Sequence, residues 1–232
     1  MLKANELVKT FGARTVVDNV SFTVARGEVL GFLGPNGAGK STTIRMMTGY
    51  LAPTSGSASV GGFNVAENPV QAKRLFGYLP ENSPLYQEMT VSGFLDFCAH
   101  AREMNKDRRK DAVEKVLQRC GLESVAKQVV GTLSKGYSRR TCFAQALLHD
   151  PQALFLDEPT DGLDPNQKHE MRNLIRSMAR DKSILVSTHL LDEVEDICTR
   201  VIIIDHGRIV LDSPIQDVKG KLFEQFRKLT SH

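Results

Sequence analysis

Gly34-Pro35-Asn36-Gly37-Ala38-Gly39-Lys40-Ser41-Thr42 matches the pattern G-x-x-x-x-G-K-[ST] without a gap or a substitution. The glycines let the backbone turn tightly and point successive N–H groups at phosphate oxygens, which forms an anion-binding nest. Lys40 adds a positive charge for the outer phosphates, and the Ser41 hydroxyl suits a magnesium ion that bridges them. The stretch therefore predicts a loop whose nine residues bind a nucleoside triphosphate and Mg²⁺.

The flanks of this loop have the context that a phosphate-binding loop requires. Before it, Val29-Leu30-Gly31-Phe32-Leu33 is a short apolar run typical of a buried parallel strand. After it, Ile44, Met47 and Leu51 recur at helical spacing from Thr42 onward. The N-terminus of such a helix favours phosphate as well. The order strand, loop, helix supports a nucleotide site over an ordinary glycine-rich turn.

Composition bounds the class of protein. The chain has 232 residues, of which 41% are hydrophobic, and its 30 basic and 27 acidic residues give a net charge of +3. This charge is too balanced to indicate nucleic-acid binding, and none is expected. No run approaches the ~20 apolar residues that span a bilayer, and the first residues lack the apolar core of a secretory signal. We expect a cytoplasmic globular protein.

The four cysteines show no spacing typical of a zinc site or a disulfide framework. They are expected to be small, buried apolar residues. These cysteines are Cys98, Cys120, Cys142 and Cys198.

The first part of the chain, 1–81, combines the phosphate loop with strand signals. Apolar and polar residues alternate up to about Gly27, which predicts antiparallel strands. Turn chemistry at Ser55-Gly56, Gly61-Gly62 and Asn68-Pro69 extends this pattern and predicts a β-rich subdomain beside the loop.

We expect residues 1–232 to form one domain. After residue 81 the sequence pattern is first helical and then alternates between strands and helices. Long helical stretches, including Val91 to Glu103 and Arg108 to Cys120, predict a helical insertion over about 82–150. Buried-strand runs then alternate with helices over 151–218, which indicates a mainly parallel sheet covered on both faces and an α/β fold. The tail, 219–232, predicts one short amphipathic helix with four residues on its apolar side: Leu222, Phe223, Phe226 and Leu229.

Two polar groups follow predicted strands of this sheet. The run Ala153-Leu154-Phe155-Leu156 ends in Asp157 and Glu158, and His189 follows the strand Ile184-Leu185-Val186. Ligands of open α/β sheets bind at the carboxyl ends of the strands. We expect Asp157 to hold the metal, directly or through water, and Glu158 to act as general base or to orient the attacking water. His189 could contact the γ-phosphate; the simpler alternatives are a surface acidic pair and a structural histidine.

Five motifs follow one another along the chain. They are the phosphate loop, Leu133-Ser134-Lys135-Gly136-Tyr137, Leu156-Asp157-Glu158-Pro159-Thr160, Asp161-Gly162-Leu163-Asp164 and Ser187-Thr188-His189. In this order and over nearly its whole length, the chain resembles an ATP-binding cassette, the ATPase subunit of ABC transporters. In that family the second of these motifs is the signature segment, the fourth is the D-loop and the fifth is the switch segment. The resemblance implies a RecA-like P-loop NTPase core with an antiparallel β subdomain and a helical subdomain.

The resemblance also implies further contacts with the nucleotide. Phe11, in Lys9-Thr10-Phe11-Gly12, matches the aromatic position that stacks on adenine in the family, although it could instead be a core residue of a strand. In the family two cassettes close head to tail, so that each ATP lies between the phosphate loop of one subunit and the signature segment of the other. That arrangement makes the signature segment and the D-loop part of the nucleotide site: Ser134, Lys135, Gly136, Tyr137 and Asp164.

Two positions depart from the commonest family pattern. The signature reads LSKGY where LSGGQ is usual, so Lys135 replaces a glycine and Tyr137 a glutamine. Glu81, in Gly77-Tyr78-Leu79-Pro80-Glu81, stands where the family commonly has the glutamine of its Q-loop. A carboxylate can still ligate magnesium, so the expected metal ligands are Ser41, Asp157 and Glu81.

The function that this resemblance implies is ATP hydrolysis coupled to transport. The expected partners are a second cassette, in a homodimer or a heterodimer, and a separate integral membrane permease, with the cassette peripheral on the cytoplasmic face. The Leu-Pro-Glu and Leu-Ser-Lys-Gly segments resemble exporter-type systems. The alternative is a soluble ATPase that remodels a ribosome or a DNA complex, although the chain has one set of motifs and no coiled-coil or zinc-bearing insertion. A small-molecule kinase would explain only the phosphate loop.

Overall fold

The computed structural model of the chain describes residues 1–230. The strands of this part are β1 (Leu2–Phe11), β2 (Arg14–Val24), β3 (Val29–Leu33), β4 (Ser55–Val60), β5 (Phe63–Asn64), β6 (Phe76–Leu79), β7 (Ala153–Asp157), β8 (Ser183–Thr188), β9 (Arg200–Asp205) and β10 (Arg208–Pro214). The α-helices are α1 (Lys40–Met47), α2 (Pro69–Leu75), α3 (Val91–Ala101), α4 (Lys106–Arg119), α5 (Lys135–Leu147), α6 (Pro165–Met178), α7 (Leu191–Ile197), α8 (Ile215–Val218) and α9 (Leu222–Thr230).

The strands form two sheets. A four-stranded antiparallel sheet has the order β2-β1-β4-β5, and a six-stranded sheet has the order β10-β9-β3-β8-β7-β6. In the larger sheet β9, β3, β8, β7 and β6 pair in parallel, while β10 returns from β9 as an antiparallel hairpin at the edge. The predicted α/β class, with a mainly parallel core sheet and an antiparallel β subdomain, is confirmed.

The parallel sheet separates two hydrophobic cores, because successive residues of a strand face opposite sides. In β3, Val29 and Leu33 pack in one core with the helical part of the chain. Leu30 and Phe32 pack in the other core, which α1 and the antiparallel sheet complete. A strand buried on both faces needs a continuous apolar run, which is the pattern of β3.

The helices between β6 and β7 begin with side-chain caps. Thr90 accepts the N–H of Gly93 at α3, Asn105 accepts that of Arg108 at α4, and Ser134 accepts that of Tyr137 at α5. Val113, Val116 and Leu117 lie on one side of α4 and are buried. The predicted signature segment therefore forms the N-terminus of α5, which packs against β6.

Several local predictions were wrong. Asn68-Pro69 does not form a turn of the β subdomain but begins α2, where proline at the first position sacrifices no intrahelical hydrogen bond. Ser55-Gly56 lies at the start of β4. In α9, Leu222 is fully buried, and Phe226 and Leu229 contact the core. Phe223 is 64% exposed, because each residue of a helix points about 100° away from the one before it and Phe223 therefore does not share the side of Leu222.

Other expectations concern burial and the end of the chain. Cys120, Cys142 and Cys198 are buried as expected, and Cys98 is half-buried. Residues 231 and 232 of the predicted tail lie outside the described residues. Among the helices of residues 1–230, none is long and apolar enough to cross a membrane.

Candidate nucleotide-binding site

The predicted phosphate loop, carboxylates and histidine meet at one edge of the parallel sheet. β3 pairs with β8, which aligns Leu33 with Thr188, and β8 pairs with β7, which aligns Ser187 with Asp157. The residues that follow these aligned strand ends border a cleft of about 380 Å³. Its lining residues are Val16, Asn36, Gly37, Gly39, Lys40, Ser41, Thr42, Glu81, Glu158, Asp161 and His189.

The loop from Gly34 to Gly39 is closely fitted to its neighbours. A Cβ atom on Gly34 would lie 2.5 Å from the carbonyl oxygen of Ile204. Gly39 has a φ of 106°, and a Cβ atom there would lie 2.7 Å from the carbonyl oxygen of Val16. Glycine at both positions is therefore required by the close approach of another backbone, and α1 begins immediately afterwards at Lys40.

Lys40 provides the positive charge of the cleft. Its ammonium group donates to the carbonyl oxygens of Gly34 at 2.7 Å and Pro35 at 3.1 Å, and lies 3.7 Å from the Glu158 carboxylate. Burial lowers the pKa of Lys40, while the charges of Glu158, Asp157 and Glu81 act in the opposite direction. The ammonium is thus held between the loop and the acidic side of the cleft, where negative charge on a ligand would further favour it.

Ser41 and Asp157 form an oxygen-lined position that fits a magnesium ion. The Ser41 hydroxyl donates to Asp157 Oδ1 at 3.0 Å, and the Ser187 hydroxyl donates to the same oxygen. Asp157 is fully buried, and its Oδ2 has no hydrogen-bond partner among the described residues. Residues 1–230 contain no group of three or more acidic, histidine or cysteine side chains that could hold a metal ion by themselves. This small ligand set suits Mg²⁺, which also binds phosphate oxygens and water.

Glu158 lies on a turn with an unfavourable backbone conformation. Its φ is 49°, in the left-handed region, and its side chain lies 2.9 Å from Nδ1 of His189 and 3.7 Å from the Lys40 ammonium. The Glu158 N–H donates to the carbonyl oxygen of Ser187 at 3.0 Å and to the Ser187 hydroxyl at 3.3 Å. The turn therefore aims the carboxylate into the cleft between an ammonium and an imidazole.

The signature segment does not line this cleft in the described part of the chain. The Ser134 hydroxyl accepts the N–H of Tyr137 and keeps its own hydrogen available for donation. The Lys135 ammonium lies 3.9 Å from Asp161 and occupies the space that a Cβ atom on Gly162 would need. Lys135 thus contacts the D-loop of its own chain, which the sequence did not indicate.

Two other predicted contacts lie away from the cleft. Phe11 pairs with Arg14 at the tip of the β1–β2 hairpin, where its ring is 51% exposed and 5.1 Å from the Lys9 ammonium. It is therefore not a core residue, and Val16 of the same hairpin is the residue that reaches the cleft. Asp164 caps α6 by accepting the N–H groups of Asn166 and Gln167. Nucleotide contacts of Phe11 and Asp164 stay predictions.

Three residues at the site were not predicted from the sequence. The contribution of Val16 to the cleft and the hydrogen bonds of Ser187 were not expected, and Arg139 was not recognised as a site residue. Ser187 stood within a recognised motif, but its hydrogen bonds to Asp157 and Glu158 depend on strand register. Arg139 is 4% exposed and contacts the backbone of two separate segments, at Pro80 and at Glu158. No sequence pattern indicated it, since it is one of two adjacent arginines that precede Thr141.

The motifs and their geometry coincide with a known family. The model of the ABC transporter family matches residues 17–161, more than half of the chain. The chain belongs to the ABC transporter family. This cassette is 37% identical over 222 residues to the ATP-binding protein YbhF of Escherichia coli (strain K12), covering 95% of the chain and 38% of YbhF.

Further comparisons agree with this membership. The cassette is 42% identical over 201 residues to the Nod factor export ATP-binding protein I of Rhizobium sp. (strain N33), covering 86% of the chain and 66% of that protein. A solved structure described as the ATP-binding subunit of an ABC transporter superposes with a TM-score of 0.89 at 30% identity, covering 99% of both chains. The predicted cassette fold is confirmed.

Glu81 provides a test of the metal site, since it lines the cleft with Ser41. We expect Glu81→Gln to raise the Mg²⁺ concentration that half-saturates nucleotide binding by roughly 3- to 10-fold, because an amide is a weaker ligand than a carboxylate. The measurement is a magnesium titration with a fluorescent ATP analogue. Glu88→Gln, at an exposed position in the same segment, is the control. An unchanged titration would mean that Glu81 does not bind the metal.

Proposed function

We propose that this ABC cassette hydrolyses ATP to ADP and phosphate and couples the reaction to transport through a separate membrane subunit. The observation that carries the proposal is the convergence of a cation, a metal-ligand pair and a carboxylate–imidazole pair on one cleft. A site for nucleotide binding alone needs the cation and the phosphate loop. The buried Glu158 beside His189 adds groups that can handle a proton.

The residues divide into binding and reacting groups. The loop N–H groups and Lys40 bind the β- and γ-phosphates. Ser41 and Asp157, with Glu81, would hold Mg²⁺, and the bound ion would neutralise negative charge on the phosphates. Glu158 orients the attacking water and accepts its proton, so that the water oxygen bonds to the γ-phosphorus and ADP leaves.

His189 supports the same reaction from the switch segment. Its Nδ1 lies 2.9 Å from the Glu158 carboxylate, which leaves Nε2 as the ring nitrogen that can reach the γ-phosphate. The imidazole side chain is 39% exposed and borders the cleft. We assign to His189 the ordering of Glu158 and the γ-phosphate.

The complete site requires a second cassette. Ser134, Lys135, Gly136 and Tyr137 lie outside the cleft of their own chain, yet they form the N-terminus of α5, whose N–H groups favour a phosphate. We propose that two cassettes associate head to tail and that each signature segment closes on the ATP of the other. Closure excludes water and completes the site, so that a single cassette hydrolyses ATP slowly.

A groove beside the cleft is the proposed contact with the membrane subunit. It has a volume of about 790 Å³ and lies between α3 and the core. Two aromatic residues of its lining are exposed to solvent: Tyr50 is 79% exposed and Phe97 is 42% exposed. Glu81 lines both this groove and the nucleotide cleft. A segment of a permease that occupies the groove would therefore contact the residue next to the metal site. We propose that the cassette is peripheral on the cytoplasmic face of that membrane.

Export is the proposed direction of transport. The relative from Rhizobium is named as a Nod factor export ATP-binding protein. The signature LSKGY and Glu81 also resemble the corresponding segments of exporter-type systems. The absence of coiled-coil or zinc-bearing insertions within the described residues gives no support to a soluble remodelling ATPase.

The hydrolysis proposal predicts a specific effect of Glu158→Gln. ATP binding should persist, because Lys40, Ser41 and the loop are unchanged, while kcat should fall by roughly 100-fold or more because the proton acceptor is lost. A closed dimer should then accumulate with ATP and elute earlier in size exclusion. Glu114→Gln, on the exposed face of α4, is the control. Retained hydrolysis would refute the role of Glu158, and a monomer with ATP would refute the head-to-tail site.

The docking proposal predicts that Phe97→Asp detaches the cassette from membranes. A carboxylate in the groove would be desolvated by an apolar partner, so the membrane-bound fraction in cell lysates should fall by at least roughly fivefold. Hydrolysis by the purified chain should stay unchanged, since Phe97 does not line the nucleotide cleft. Phe63→Asp, at a 40% exposed phenylalanine of β5, is the matched control. Equal loss in both variants would contradict docking at the groove.

A further inference from the structure

Arg139 is a buried cation that joins three segments around the cleft. Its side chain extends from α5 and is 4% exposed. Its Nη2 donates to the carbonyl oxygens of Asp157 at 2.6 Å and Glu158 at 2.8 Å. Its Nη1 donates to the carbonyl oxygens of Pro80 at 2.6 Å and Glu81 at 2.7 Å and to the Ser83 hydroxyl at 3.4 Å. Its Nε donates to the carbonyl oxygen of Pro159 at 3.3 Å.

We propose that Arg139 is a positioning residue for ATP hydrolysis: it ties the turn that carries Glu158 and the segment that carries Glu81 to the helix that begins at the signature. The inference rests on the proposed hydrolysis and deepens it. Arg139 touches neither the nucleotide cleft nor a reacting atom, since it does not line the cleft. Its effect is carried by the backbone of the residues that do line it.

The chemistry of the contacts indicates why an arginine stands here. A guanidinium has five N–H groups in a planar fork, and in this structure five carbonyl oxygens accept them. Burial lowers the pKa of the Arg139 guanidinium, while nearby acidic groups act in the opposite direction. A buried charge is costly without hydrogen bonds, so the complete set of backbone acceptors is what makes this position tolerable.

The contacts also explain how the turn at Glu158 persists. A φ of 49° is unfavourable for a residue with a Cβ atom, and such a conformation is kept only when its surroundings hold it. Ser187 holds the N–H of Glu158 from β8, and Arg139 holds the carbonyl oxygens of Asp157 and Glu158 from α5. Loss of one support would let the turn relax and move the carboxylate away from His189.

The same side chain links this turn to the two regions proposed to contact other subunits. Ser134, at the start of α5, is proposed to contact the ATP of the second cassette, and Arg139 lies just beyond the first turn of that helix. Its Nη1 binds Pro80 and Glu81, which border the groove proposed for the membrane subunit. A displacement of α5 is therefore transmitted to both segments by hydrogen bonds of one rigid group.

The first test is Arg139→Lys, which keeps the charge but replaces five planar donors with three donors on one atom. We expect kcat for ATP to fall roughly 10- to 100-fold, because a small displacement of a reacting group costs this much. At saturating Mg²⁺ the dissociation constant of a fluorescent ATP analogue should change less than about twofold, since the hydrogen bonds of Arg139 go to other segments than the phosphate loop. Both are measured on the purified chain, with its thermal unfolding midpoint.

Arg200→Lys is the matched control. Arg200 also binds several groups, namely Asp212, Glu28 and the carbonyl oxygen of Thr23, but it lies at the start of β9, away from the cleft. It should lower the unfolding midpoint and leave kcat unchanged at temperatures where the protein is folded. If Arg139→Lys behaves like this control, its role is structural and the proposal is overturned.

A double-mutant cycle with Glu158→Gln supplies a readout that a structural role would not move. If Arg139 acts by placing the Glu158 carboxylate, Arg139→Lys should change the residual single-turnover rate of Glu158→Gln by less than about threefold. Full multiplication of the two losses would show that Arg139 acts independently of Glu158 and would overturn the proposal.

The remaining outcomes are also decisive. Arg139→Gln replaces the lysine variant if that protein does not fold, and unfolding of both would make Arg139 a general folding requirement, contrary to the proposal. An inactive wild-type chain that binds ATP would refute the proposed hydrolysis itself. An active wild type with an equally active Arg139→Lys variant would refute only the positioning role.

Discussion

The parallel alignment of β3, β8 and β7 is the constraint on which the site depends. These strands are neighbours in one sheet, so the phosphate loop, the switch histidine and the two carboxylates leave the sheet at the same edge. The continuous apolar runs of the three strands hold them between two hydrophobic cores. A shift in register by one residue would reverse every side chain and separate Asp157 from Ser41 and Ser187.

The geometry at this edge combines rigid and adjustable parts. Gly34 and Gly39 are fixed by close backbone contacts, and Asp157 is held by two hydroxyl groups. Glu158, in contrast, occupies a conformation that depends on partners from β8 and α5. This difference suits the proposed ATP hydrolysis, in which nucleotide binding must be dependable while the carboxylate proposed to react responds to the position of a helix. Through Arg139, the helix that begins at the signature segment is connected to the Glu158 turn of its own chain as well as to a second cassette.

Much of the site could be predicted from the sequence because its elements are local. The phosphate loop is contiguous, and an apolar run followed by Asp157 and Glu158 identifies a strand end where ligands bind. Arg139 could not be found in this way, since a charged residue usually indicates a solvated position and its five carbonyl partners come from distant segments. Lys135 was likewise assigned only to a second subunit, although in the fold it contacts Asp161. The prediction that Phe223 lies on the apolar side of α9 was wrong because the side of a helix on which a residue lies depends on where the helix begins, which hydrophobicity does not show.

Each nucleotide site is proposed to combine the phosphate loop of one chain with the signature segment of another, and a mixture of two variants distinguishes this shared site from a site within one chain. Lys40→Ala removes the loop cation and Ser134→Ala removes the signature hydroxyl, so each variant alone should be nearly inactive. A heterodimer of the two keeps one intact pair. With random pairing in a 1:1 mixture, the ATPase rate should therefore recover to about a quarter of the wild-type rate. A mixture no faster than the separate variants would contradict the shared site.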